Sequence, residues 1–463
     1  MLVPETNLSP PDLSVTLEKF WQLSGAKLRL IDEHYDHSQG SPVFTAAGRY
    51  TTRGWTEWTQ GFEFGSSLLQ FEATGDEWFL EYGRRNTVEK MAPHVSHFGV
   101  HDHGFNNIST YGNLLRLMNE GLISENAWER DFYELALKIS GASQARRWTP
   151  LPGGGGYIYS FNGPHSLFVD TIRSCRILAV SHLLGHQYMD EGDQKISLFD
   201  RFLEHSKATA LYSIYYGEGR DSYDTQPGRT THESIFNIND GQFRCPNAQQ
   251  GFSGFTTWTR GLAWAMLGFT EELELLESLP NFEGKAAAEK IFLRAARATC
   301  DFYITNTPTD GIPYWDTGAP EIHKLGTSYL TCASDPYNHY EPIDSSAAAI
   351  GGQGLLRLGR YLGHTGAGMP YWQAGLTVVK NLFTRPYLSD TDDHQGLILH
   401  SIYHRPNGWD HIPEGSTIPN GESSMWGDYH AREVALYLQR IILGKEDYRY
   451  FDCVRETPAS RKS

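Results

Sequence analysis

Twelve stretches of this chain repeat apolar residues at helical spacing, and they come in two alternating kinds. Residues 284–305 show the ordinary kind. Ala288, Ile291, Phe292, Ala295, Thr299, Phe302 and Tyr303 fall on one face, Lys290, Arg294 and Arg297 point elsewhere, and "TPTDG" supplies the stop. The pattern predicts helices near 12–32, 55–74, 76–92, 106–120, 126–143, 165–185, 191–207, 254–275, 284–305, 343–364, 370–385 and 422–442. The even-numbered ones open with polar-aromatic clusters: "WTEWTQGF" (55–62), "HDHGFNN" (101–107), "HSLFVDT" (165–171), "TTWTRGLAW" (256–264), "IDSSAAAI" (343–350) and "ESSMWGDYH" (422–430). Small residues such as Gly65-Ser66-Ser67 and Ala347-Ala348-Ala349 follow several of them and permit close helix approach. The reading is an all-α toroid with six inner helices inside six outer ones. Inner helices of such a toroid run parallel, so their N-termini meet at one mouth and favour anions there. The irregular stretches 144–164, 216–253, 306–342 and 386–421 should line that mouth.

Composition narrows the function. Forty per cent hydrophobic and 20% charged residues describe a globular chain. Aromatics reach 13%, which suits either flat sugar-binding faces or a large helical core. A net charge of −16 argues against a nucleic-acid binder, though not against a small anionic substrate. The five cysteines form no CxxC pair, so no zinc ribbon or disulfide framework is expected. "LPGGGGY" (151–157) lacks the Lys-Ser/Thr of a phosphate loop. No run approaches the ~20 apolar residues of a membrane span. The N-terminus lacks the basic start and apolar run of a signal peptide, so a cytoplasmic protein is expected, or a periplasmic one if a leader had been removed. No linker interrupts residues 1–453, read as one catalytic domain; 454–463 reads as a flexible polar tail.

Two carboxylates stand out. Asp102, between His101 and His103, fits three roles: metal ligand, cap of the helix that follows, or catalytic acid. No HExxH accompanies it. Asp170 sits among Leu167, Phe168, Val169 and Ile172, on the helical side of Ser166 and Ser174. Apolar company should raise its pKa, which suits a general acid; a helix–helix hydrogen bond is the alternative. Arg260 and Trp264, one turn apart beside Trp258, could grip a carboxylated sugar. The alternative is an internal ion pair to Glu57, Asp344 or Asp428. Asp344 reads as a helix cap, and Trp315 and Asp316 as part of a loop closing the cleft.

The ordered set "WTQGFEFG" (58–65), "HDHGF", "VDT", "WTRGLAW", "PYWD", "DSSAAAI" and "SSMWGDYHAREVAL" resembles glycoside hydrolase family 88, the unsaturated glucuronyl hydrolases, over roughly residues 50–440. The resemblance implies an (α/α)6 barrel that adds water across the C4=C5 bond of a terminal 4,5-unsaturated uronic acid, in oligosaccharides left by polysaccharide lyases. It implies no metal or organic cofactor. It casts Asp170 as the residue that protonates C4 and handles the water proton, and Asp102 as its partner. It places Trp58, His101, His232, Gln249, Gln250, Arg260, Trp264, Phe161 and Ser424 around the substrate. The chain departs from the family pattern at "QQGFSGFT" (249–256), where a histidine is replaced by Gln249 and the paired Asp is missing, and at Phe161, where a tryptophan is common. Alternatives are an unsaturated rhamnogalacturonyl hydrolase, an inverting glycosidase on saturated sugars, and a non-catalytic carbohydrate-binding protein.

Overall fold

The computed structural model describes residues 1–54 and 57–454. Among them, twelve helical units follow the predicted order. These are α1 (Ser14–His34), α2 (Gln60–Thr74), α3 (Glu77–Lys90), α4 (His103–Asn107, a π-helical turn Ile108–Gly112, and Asn113–Asn119), α5 (Ala127–Arg146) and α6 (Thr171–Ser174 with Arg176–Leu183). Then come α7 (Leu198–Tyr212), α8 (Thr259–Ser278), α9 (Lys285–Asn306), α10 (Ser345–Tyr361), α11 (Met369–Leu382) and α12 (Met425–Ile442). The even-numbered helices pack in a closed ring, α2 on α4, α6, α8, α10, α12 and back to α2, with the odd-numbered ones outside. The all-α (α/α)6 expectation is met. The expected tail falls on residues outside those described, Val454 excepted.

Side-chain caps start many of the helices. Asp76 accepts from the Trp78 amide, Asn126 from Trp128 and Glu129, Ser197 from Asp200 and Asp344 from Ser346. Glycine sets the spacing inside. A Cβ on Gly104 would lie 1.9 Å from the Ser174 carbonyl oxygen, and one on Gly61 2.3 Å from that of Asn106. The backbones of α2, α4 and α6 therefore touch where their N-termini meet.

Three expectations need correction. Residues 165–185 are not one helix: Ser166–Phe168 form a strand that pairs antiparallel with Glu233–Phe236, and α6 begins after Asp170. A short apolar run reads equally well as a buried strand, and pairing with another strand decided it. Residues 191–197 hold a turn and the second strand of a small hairpin, and α7 starts only at its Ser197 cap. Finally, Ile291 of α9 is 36% exposed, while Ala296 and Cys300 take the buried face.

The lumen is charged. Arg173 of α6 donates from Nε and Nη2 to Glu271 of α8, both at 3.0 Å, and from Nη2 to Glu433 of α12 at 2.5 Å. Arg176 adds a 3.3 Å contact to Glu271, and all four side chains are buried. The Trp264 ring and His430 pack against Arg173.

Two outcomes test this packing. Gly104→Ala should cost about 1–3 kcal/mol or more in urea unfolding, because the clash is with backbone; Gly112→Ala, whose Cβ would meet its nearest neighbour at 3.5 Å, should be close to neutral. Arg173→Met removes the cation paired with the buried Glu433 and leaves Glu271 with Arg176 alone, and should cost about 3–5 kcal/mol in the same measurement.

Candidate active site

His101, Asp102 and Asp170 meet at the mouth of the ring. His101 precedes α4, Asp102 occupies its N-cap position and Asp170 that of α6. Neither aspartate makes a side-chain capping hydrogen bond, so the capping reading of Asp102 fails. The turn is anchored from below: Ser174 Oγ and Gln144 Nε2 both donate to the His101 carbonyl, at 2.5 and 2.8 Å, and Ser174 Oγ accepts from the Gly104 amide. His103 faces the other way. Its ring contacts Ser140 Oγ and the His97 carbonyl, and burial lowers its pKa to about 3.

One imidazole links the two carboxylates. His101 Nε2 lies 3.4 Å from Asp170 Oδ1 and 3.8 Å from Asp102 Oδ1. The Phe161 amide donates to His101 Nδ1 at 3.2 Å, so the Nε2 hydrogen faces the carboxylates. Burial pushes the imidazole pKa down, but Asp102 and Asp170 together push it up further. Burial raises Asp102, and the Asp170 charge adds to this, outweighing His101 and Arg147. Asp170 goes the other way: burial raises it, yet His101, His232 and Arg260 together bring it below the usual carboxylate value. The sequence predicted a raised Asp170. Its apolar neighbours are present, but polar groups brought by other segments outweigh them.

Trp58, Phe161, Phe168, Trp258 and Trp264 wall a narrow cleft above this trio, with Gln249, Gln250 and Arg260 along it. Arg260 is buried between the Trp258 and Trp426 rings, 4.6 and 4.7 Å from its guanidinium carbon. Its Nε pairs with Asp344 at 3.3 Å, and Nη2 donates to Gln250 Oε1 and to the Ile402 and Tyr403 carbonyls. The internal ion pair is thus present, and Nη1 has no hydrogen-bond acceptor among the described residues. His232 takes the Gln249 and Gln250 amides on Nδ1, at 3.0 and 3.2 Å, which puts its hydrogen on Nε2. Burial brings its pKa to about 4, so the ring is neutral at pH 7. Three buried polar atoms in or beside the cleft lack a hydrogen-bond partner: Asp170 Oδ1, His232 Nε2 and Gln249 Oε1. Buried polar atoms left open in this way are what a polar ligand would satisfy.

Ser424 is not in this set. It caps α12, accepting from the Gly427 amide, and does not line the cleft. Asp316 holds a loop beside the cleft by accepting from the Phe252 and Gly318 amides, and burial raises its pKa to about 6. Sequence reading missed Tyr403, His404 and Trp409, which complete the cleft wall. "YHRPNGW" announced a turn rich in aromatics, but not where that turn would land. It also missed Glu233, whose buried carboxylate accepts from Ser166, Asn162 and Asn247 and ties three cleft segments together. A larger hollow of about 730 Å³ between α1, α2 and α12 carries none of these groups.

No family model matches the chain. An unsaturated glucuronyl hydrolase of Bacillus sp. (strain GL1) is 25% identical over 437 residues, covering 91% of this chain and 95% of that one. One from Formosa agariphila is 24% identical, covering 84% and 81%. An unsaturated chondroitin disaccharide hydrolase of Streptococcus pneumoniae is 22% identical, covering 86% and 84%. The crystal structure of the Bacillus enzyme superposes with a TM-score of 0.68 at 20% identity, over 94% of this chain and all of that one. That of an unsaturated glucuronyl hydrolase specific for heparin gives 0.69 at 19% identity, over 94% and 99%. Over most of its length the chain is thus similar in sequence to unsaturated glucuronyl hydrolases, and it shares the fold of their solved structures.

Proposed function

We propose that the chain is a glycoside hydrolase that hydrates the C4=C5 bond of a 4,5-unsaturated uronic acid at the non-reducing end of lyase-generated oligosaccharides. One observation carries the reading: two buried carboxylates, from different inner helices, face one imidazole at the floor of an aromatic cleft. The names of the relatives agree with it.

An enol ether reacts by protonation at carbon, which needs a well-placed acid. In this mechanism Asp170 gives a proton to C4, positive charge develops over C5 and the ring oxygen, and water adds at C5. The Asp170 carboxylate then takes the proton that the water loses. The C5 hemiketal opens, and the aglycone departs from C1 with one water consumed and Asp170 protonated again. The second carboxylate, Asp102, lies where it can hold the sugar and balance the developing charge. Trp58 and Trp264 give the ring apolar walls, while His232 Nε2–H and Arg260 Nη1 are donors for the uronate carboxylate.

The free protein keeps Asp170 ionised and the neighbouring Asp102 raised, so the trio titrates as a unit. An arriving uronate brings a like charge to Asp170 and raises its pKa, which loads the acid when substrate is bound.

Loss of the conjugated-alkene absorbance of unsaturated disaccharides tests the reaction directly. Asp170→Asn should cut turnover at least about 100-fold while leaving fold and binding intact; turnover within tenfold of the parent would exclude Asp170 as the acid. The proton must be on the unit, so kcat/KM should fall as pH rises through its apparent pKa. His101→Gln removes the group that lowers Asp170 and Asp102 most, so that fall should move to higher pH. A pH profile that keeps its position would mean His101 does not set the protonation of the acid.

A further inference from the structure

A second groove, of about 340 Å³, lies beside the cleft and shares its loops. Gln250 lines the cleft and Phe252 the groove; His404 lines the cleft and Arg405 the groove. Phe252 is 48% exposed and Tyr340 is 39% exposed, so two flat aromatic faces stand uncovered next to the mouth. The loop that bears Phe252 is the one with an unusual sequence, "QQGFSGFT".

The charges in the groove are unequally satisfied. Glu341 accepts from Trp315 Nε1 at 2.8 Å and from the Glu321 amide at 2.7 Å, and Glu321 pairs with Lys324. The half-buried Arg405 guanidinium makes no ion pair or hydrogen bond at contact distance with a described residue; the buried Asp410 carboxylate is the negative charge it acts on. Its walls are held in place beforehand: Asp316 accepts from the Phe252 amide, Asn338 from the Tyr340 amide, and Thr417 donates to the His339 carbonyl.

We propose that this groove extends the substrate site. It holds a sugar beyond the one joined to the unsaturated uronate, with the ring against Phe252 and Tyr340 and an anionic substituent, carboxylate or sulfate, on Arg405. The inference rests on the function proposed above and narrows it to oligosaccharides longer than a disaccharide.

Calorimetry on the Asp170→Asn protein tests it with an unsaturated disaccharide and the tetrasaccharide of the same acidic repeat. The tetrasaccharide should bind about fivefold or more tightly, as one aromatic platform with a charge contact would give. Phe252→Ala and Arg405→Gln should each remove most of that difference and leave disaccharide affinity within about twofold. With a tetrasaccharide whose distal sugars are neutral, only Phe252→Ala should matter. Equal affinity for both lengths, or a length preference that survives both substitutions, overturns the groove assignment. Turnover of either oligosaccharide by the parent protein decides the proposed function separately: turnover without a length preference sinks the groove alone, and a length preference in binding with turnover of neither sinks the reaction alone.

Discussion

The ion cluster in the lumen is the contact on which the mouth depends. Arg173 belongs to the first turn of α6, three residues after Asp170, and its guanidinium is held by Glu271 of α8 and Glu433 of α12. Three inner helices are therefore fixed to one another just below the cleft. Replacing such a cluster by apolar packing is often neutral, whereas breaking it leaves a bare buried charge. Its value here is in place as much as in stability. It fixes where α6 starts, and the start of α6 sets the position of the carboxyl group.

Close backbone contact completes that placement. Gly104 lets α4 touch α6 at Ser174, and Ser174 in turn anchors the His101 carbonyl. The two catalytic candidates thus come from chain segments nearly seventy residues apart, yet share one hydrogen-bonded support. Around them the aromatic walls and the neutral His232 reduce access of water. A charge in such a site feels its few neighbours strongly. That is why two aspartates flanking one imidazole are driven in opposite directions.

Much of the architecture was legible. The two alternating kinds of helical segment gave the double ring, since a helix apolar or small all round must be buried and one with a charged face must not. The motifs "HDHGF", "VDT" and "WTRGLAW" brought His101, Asp102, Asp170, Arg260 and Trp264 to attention, and all five meet at one cleft. The boundaries near Asp170 were not legible, because Leu167-Phe168-Val169 satisfies a strand as well as a helix and only pairing with Glu233–Phe236 chose between them. The family resemblance placed Ser424 around the substrate, but its hydroxyl caps α12.

The sequence by itself determined the number, order and inner or outer character of the helices, because periodicity and small-residue placement are local properties of the chain. It also marked most of the polar residues at the mouth. Only the tertiary structure decided which carboxylate is raised and which lowered, that Arg260 is pinned by Asp344, and that Tyr403, His404, Trp409 and Glu233 complete the site. These are outcomes of burial and of neighbours far away in the chain, and pKa and contact depend on the distances that folding alone sets.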